Sequence, residues 1–189
     1  MSVVMSLEHR FREMFDATYP AVVRYARHRG LSGHDLEDLV SSTFEVAWRR
    51  FDRVPLGDEA LPWLLAVALN QVRNHRRRLA RDRGLLERLP APDLTPGPSM
   101  PDVSWGDIRR AMQRLSRDER ELVLLVAWDG LTPIQAASVL GVSPGAARTR
   151  LHRARAKLSE LLDHSAHVSR EFRADPSAND IHSITRPPQ

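Results

Sequence analysis

Between Ser143 and Leu158 the chain holds no acid, while Arg148, Arg150, His152, Arg153, Arg155 and Lys157 collect on the outer side of a helical repeat. Gly145 and Ala146 precede them. Small residues at that point let a backbone approach a groove before longer donors reach phosphates and base edges. The chemistry is recognition of duplex DNA, with Arg148, Thr149, His152 and Arg153 as the reading residues; a solvated basic face is the plainer alternative. A second basic track comprises Arg73, His75, Arg76, Arg77, Arg78, Arg81 and Arg83. It runs beside Asn70 and Asn74, one helical turn apart, with Trp63 upstream. Amides next to guanidinium groups suit unstacked bases and their phosphates. Arginines also complement the negative end of a helix dipole, and Trp63 taken alone reads as core.

The remaining polar clusters do not assemble into a catalytic set. Asp35 and Asp38 share a helix face and could share a proton or a divalent ion, yet no glycine-rich phosphate loop accompanies them. Helix capping and a protein-facing surface fit them better. Asp163, His164 and His167 have a spacing zinc could use, but they border a polar segment with no further ligand nearby. The absence of cysteine removes disulfides, thiolate metal sites and cysteine nucleophiles. The expectation is a chain with no catalytic residue, no metal and no cofactor: not an enzyme.

The elements that carry these residues follow from periodicity. Phe11, Met14, Phe15, Thr18, Tyr19, Val22, Val23 and Ala26 recur at helical spacing until Gly30. Ser32 and Asp35 have capping-box spacing and open a second helix with Leu36, Leu39, Val40, Thr43, Ala47 and Phe51 inside, Phe44 and Trp48 widening the stripe, and Glu37, Asp38, Glu45 and Arg49 outside. Turn formers fill residues 51–61. Pro62 suits a first helical turn, and Leu64, Leu65, Ala68, Leu69 and Val72 then face inward on the helix that runs into the basic track.

Five prolines between Leu89 and Val103 exclude a helix there. Beyond this tether, Trp105, Ile108, Met112 and Leu115 start a new period, and Ser116 with Glu119 caps the helix that Gly130 closes. Thr132, Pro133 and Gln135 open a short helix ending at Gly141, and Ser143 with Pro144 opens the next. Two helices across so short a turn describe a helix-turn-helix. The inner face of the second carries Ala147, Leu151, Ala154, Leu158 and Leu161. The fold expected is all-α, with two small helical domains at residues 1–86 and 104–163, a linker at 87–103 and a disordered tail at 164–189.

Composition agrees with a nucleic-acid partner. An apolar share of 42% allows folding, and a net charge of +4 favours a polyanion without requiring one. The N-terminus has no signal-peptide pattern. The apolar stretch Leu61 to Leu69 contains Pro62 and is about half the roughly 20 residues a membrane span needs. No membrane insertion and a cytoplasmic location are expected.

The segment Asp38-Leu39-Val40-Ser41-Ser42-Thr43-Phe44-Glu45-Val46-Ala47-Trp48, with Pro62-Trp63-Leu64, Ala68, Asn70 and Arg76-Arg77, resembles the second region of extracytoplasmic-function (ECF) sigma factors of the sigma-70 superfamily. Leu131 to Leu158, especially Gly145 to Arg155, resembles their fourth region. Ser41 and Ser42 depart from the glutamine and acid usual in the family, and Ala146 and Ala147 from the usual threonine and valine. The resemblance implies a subunit that binds bacterial core RNA polymerase and directs promoter recognition, melting and initiation. It implies polymerase docking near Asp38, Leu39 and Phe44. It places the single-stranded −10 element on Trp63, Asn70, Arg73, Asn74, Arg76 and Arg77, and the duplex −35 element on Thr132, Gln135, Arg148, Thr149, His152 and Arg153. An anti-sigma protein is the further partner it suggests. The alternative is a stand-alone helix-turn-helix regulator, for which the first module would have no use.

Overall fold

The computed structural model describes residues 6–82 and 104–174, with side chains described as far as Arg77 in the first stretch and His164 in the second. The expected linker at 87–103 lies outside the described residues. Seven α-helices account for almost all of the described chain: α1 (Leu7–His28), α2 (Gly33–Arg49), α3 (Ala60–Asp82), α4 (Trp105–Arg114), α5 (Arg117–Ala127), α6 (Pro133–Leu140) and α7 (Pro144–Ala174). Two single 3-10 turns, Phe51–Arg53 and Gly57–Glu59, shape the loop between α2 and α3. No strand occurs among the described residues, so the all-α architecture holds.

Helix starts follow the side chains that can satisfy orphan amides. Capping boxes form at Ser104 with Asp107, Ser116 with Glu119 and Thr132 with Gln135. Ser143 Oγ accepts from the Ala146 amide at 3.2 Å to start α7. At α2 the expected box is absent: Ser32 is the N-cap but its hydroxyl accepts no cap hydrogen bond. The Asp35 carboxylate approaches His75 of α3 at 3.9 Å instead. Helix α1 continues through Pro20. That residue is on the exposed side, where a backbone carbonyl displaced from the ladder can meet water.

Ser116 offers a direct check on this local physics. Its backbone N–H donates to Glu119 at 2.9 Å, and its hydroxyl accepts from the Glu119 amide at 3.3 Å. The first of these bonds is the main reason the Glu119 carboxyl lies below its ordinary pKa. Ser116→Ala is expected to lower the unfolding free energy by about 1 kcal/mol, read as a shift in urea midpoint at neutral pH. The backbone bond survives in the variant, so only the part of the advantage carried by the Ser116 hydroxyl beside the Glu119 carboxyl, the second cause of its lowered pKa, depends on pH: it is present above the unfolded carboxylate range and fades as pH falls through the folded value.

In the first module Val22, Tyr25 and Ala26 of α1 meet Leu39, Val40, Phe44 and Ala47 of α2 and Leu64, Leu65, Ala68, Leu69 and Val72 of α3. In the second, Met112, Leu115, Leu122, Leu125, Ala136, Ala137, Ala147, Leu151 and Ala154 fill the space among α4 to α7. The two sets belong to one continuous apolar cluster because α6 packs on α3.

Three details correct the sequence reading. Tyr19 and Trp48, expected on inner faces, are 42% and 45% exposed, while Tyr25, absent from the expected stripe, is fully buried. Trp48 instead meets the Phe11 ring edge-on, with centroids 4.9 Å apart, at the rim of the module. The last helix also continues to Ala174, so the segment from residue 164 begins as helix rather than tail. No described helix is long and apolar enough to cross a membrane.

Candidate nucleic-acid interface

The helix-turn-helix is built by two stops and two starts. Gly141 at φ +68 ends α6 in the left-handed conformation that side chains resist. The Val142 amide then donates back to the Ala137 carbonyl at 3.0 Å, holding the turn. With Ala147, Leu151 and Ala154 locked inside, Arg148, Thr149, His152 and Arg153 share an outward face of α7 and are all exposed. The spacing one, four and five positions from Arg148 places them on adjacent turns. Not every basic residue joins them. Arg150 approaches Asp118 at 4.0 Å, and Lys157 approaches Glu119 at 3.3 Å, so both are committed to α5.

Thr132 and Gln135 have structural partners. Thr132 caps α6, and the Gln135 amide both closes the capping box and donates to Glu59 at 3.3 Å across the boundary between the modules.

On α3, Trp63, Asn70, Asn74 and Arg77 are separated by about two, three and four turns, so they form one stripe. Asn70, Asn74 and Arg77 are exposed, Arg73 is half-buried beside them, and Trp63 is half-buried against the core. Arg76 departs from the expectation. Its Nη2 donates to the Arg29 carbonyl at 3.2 Å. Burial, followed by repulsion from Arg117, draws its pKa below the ordinary value. The side chain thus points toward the second module and away from the stripe.

Two concavities flank these faces. One, of about 510 Å³, lies between α1 and the loop before α3 and is lined by Arg10, Met14, Phe51, Pro55, Leu56 and Ala60 among others. Leu56 on its rim is 73% exposed. The other, of about 450 Å³, lies between α2 and α3 and includes Asp35, Asp38, Ser42, Gln71, Asn74 and His75. Of the three residues expected to touch polymerase, only Asp38 is on the surface. Leu39 and Phe44 are 6% and 5% exposed, because their positions on α2 face α1 and α3. They support α2 from beneath and cannot be contact residues in this conformation. Among the described residues no group of three His, Cys, Asp or Glu side chains is arranged to hold a metal.

The sequence reading missed a charged cluster between the modules. Arg29, at the end of α1, donates through Nε and Nη2 to Glu121 Oε1 at 2.9 and 2.6 Å, and through Nη1 to Asp129 Oδ2 at 2.6 Å. His28 Nδ1 lies 3.0 Å from the other Asp129 oxygen. The guanidinium stacks on Tyr25, 3.6 Å from the ring centroid. The Arg29, Glu121 and Asp129 side chains are 1%, 10% and 2% exposed. Burial by itself would lower the Arg29 pKa, but Glu121, Tyr25 and Asp129 outweigh it and raise it. Burial, reinforced by Glu121, likewise keeps the Tyr25 phenol neutral.

A weak signal for this cluster exists in the sequence. Glu121 opens the run Leu122 to Val126, which is apolar on more than one helix face and therefore needs more than one neighbour. Asp129 follows the negative end of α5, where an acid is misplaced unless a cation arrives from elsewhere.

Comparison with known proteins agrees with this geometry. Residues 14–82 match the Sigma-70 region 2 family and residues 105–158 match Sigma-70, region 4. The RNA polymerase sigma factor CarQ of Myxococcus xanthus is 33% identical over 156 residues, covering 80% of this chain and 88% of that protein. Among solved structures, the sigma factor RpoE in complex with the anti-sigma factor NepR from Bartonella quintana superposes with a TM-score of 0.62 at 28% identity, over 81% of this chain and 96% of RpoE. CnrH in complex with the cytosolic domain of CnrY gives a TM-score of 0.56 at 28% identity, over 82% and 88%. A match in both regions leaves no reason to prefer the stand-alone regulator.

Proposed function

Because the chain belongs to the ECF group of sigma-70 RNA polymerase sigma factors, which bind core polymerase and direct promoter recognition, we propose the following division of labour among its faces. The exposed acidic side of α2, with Asp38 at its head, docks on core polymerase while Leu39 and Phe44 hold the helix from below. The α3 stripe of Trp63, Asn70, Asn74 and Arg77, with Arg73 beside it, holds the separated strand at the −10 element. The concavity beside residues 51–60 has the volume and apolar lining to take an unstacked base. Arg148, Thr149, His152 and Arg153 read the −35 duplex from the major groove. Arg76 and Gln135 become available only where the modules separate, whereas Thr132 is already exposed with its hydroxyl engaged in the α6 cap. The chain acts in the cytoplasm by binding rather than catalysis. An anti-sigma protein is its natural antagonist, as NepR is for RpoE.

The observation that carries this reading is the exposed α7 face, raised by a capped helix-turn-helix and free of acids. Run-off transcription with bacterial core polymerase on a pool of promoter fragments tests it. Discrete start sites that require the protein are the expected result. Sequence-specific duplex binding with no start sites would overturn it.

A further inference from the structure

Of the large apolar side chains described, Leu56 is the most exposed. It stands in the loop that leads into α3, and the loop is built to hold it there. Buried Phe51 and Val54 anchor one end and buried Ala60 the other, while the amides of Arg53 and Val54 donate to the carbonyls of Arg50 and Phe51 at 2.8 and 3.2 Å. Pro55 restricts the backbone on one side of Leu56. Gly57 follows on the other at φ +63, in the left-handed region that a side chain resists. A single apolar side chain on a surface needs no explanation, but one fixed between a proline and a left-handed glycine, with no freedom to fold back onto the core, is being presented to something.

Its neighbours say what that is. The concavity of about 510 Å³ opens beside it, with Met14, Phe51 and Ala60 in the wall. The stripe on α3 begins at Trp63, in the first turn after the loop. From Val54 to Ala60 the chain carries Asp58 and Glu59 and no cation. Such a segment repels phosphates, so a strand that comes against it does so with its bases. Apolar side chains inserted between base steps are a general means of unstacking a duplex.

We propose that Leu56 is a wedge: it enters the base stack of the −10 duplex as the strands part and takes the place of a base that moves into the adjacent concavity. The inference rests on the assignment of α3 to the −10 strand and adds a separate step to it. Leu56 opens the stack, whereas Asn70, Asn74 and Arg77 hold the strand once it is open. The wedge makes no hydrogen bond to a base edge, so its action depends on apolar volume alone.

Two templates separate opening from holding: a promoter fragment that is duplex throughout, and the same fragment with non-complementary strands across the −10 element. Each is used with core polymerase and the full chain carrying Leu56→Ala, Leu56→Gln or Leu56→Met. On the duplex, Leu56→Ala and Leu56→Gln are expected to slow melting, read by permanganate reactivity, by about 10-fold, while the volume-conserving Leu56→Met stays near the unchanged chain. On the mismatched template none of the three loses run-off product. The position is exposed, so the substitutions leave the fold intact, which far-UV circular dichroism checks, and pull-down with tagged core checks polymerase binding. Full-rate melting of the duplex by Leu56→Ala or Leu56→Gln overturns the wedge. So does an equal loss on both templates, which would make Leu56 a holding residue, or a loss matched by weaker pull-down, which would make it a polymerase contact. The combined alanine variant of Asn70, Asn74 and Arg77, run beside them, is expected to lose on both templates. If it loses on neither, the assignment of α3 fails, while the difference between templates still decides the role of Leu56.

Discussion

The variant carrying alanine at Arg148, Thr149, His152 and Arg153 is expected to lose at least about 100-fold in transcription from promoters that depend on a −35 element. Each base-edge contact made by such side chains is worth about 1–3 kcal/mol, and phosphate contacts add to this uniformly. Two productive contacts of average strength are enough to reach that loss. All four side chains are exposed. Their removal therefore leaves Ala147, Leu151 and Ala154 packed and stability within about 0.5 kcal/mol per site. Polymerase binding, measured by pull-down with tagged core, should be retained. Retained transcription in this variant would exclude α7 as the reader. The salt slope of duplex binding provides a second readout, because each lost phosphate contact reduces it by about one.

The second large effect is expected on α3. Asn70→Ala, Asn74→Ala and Arg77→Ala combined should leave −35 duplex binding intact while reducing the melted fraction at the −10 element at least about 10-fold, since each stacked or hydrogen-bonded base contributes about 1–3 kcal/mol. Permanganate reactivity of −10 thymines in the polymerase complex measures it directly. Unchanged reactivity would move strand capture off this stripe. Trp63 is left out of the combination because it is half-buried against the core. Truncating it would mix stability with recognition. Arg76 is left out because it bonds to the Arg29 carbonyl, so its loss would act first on the module boundary.

Short-range physics made much of this legible in the sequence. The inner face of α3, from Leu64 to Val72, is a single apolar stripe, and a stripe of that kind has one stable orientation. The starts of α5, α6 and α7 each follow from a hydroxyl placed before a helical period. Local pattern fails where the deciding partner is distant. Tyr25 and Arg29 lie on a side of α1 that reads as polar and aromatic margin, and only Glu121 and Asp129, supplied by another module, make burial there affordable. Ser32 makes no cap bond, and the Asp35 carboxylate that would have closed the box lies instead toward His75, 40 positions away on α3. Leu39 and Phe44 show a different confusion: residues that stand together in a motif can be there to hold a surface up as well as to form it. Arg150 and Lys157 belong to the same lesson, since a basic helix face divides once acids of α5 claim part of it.

The way Arg29 is shut off from water also has a consequence for salt. Ions in bulk solvent screen an enclosed cluster far less than they screen pairs at the surface. The contact between the two modules is therefore expected to persist at ionic strengths that dissolve exposed pairs such as Arg150 with Asp118, a difference that unfolding midpoints taken in rising salt would read.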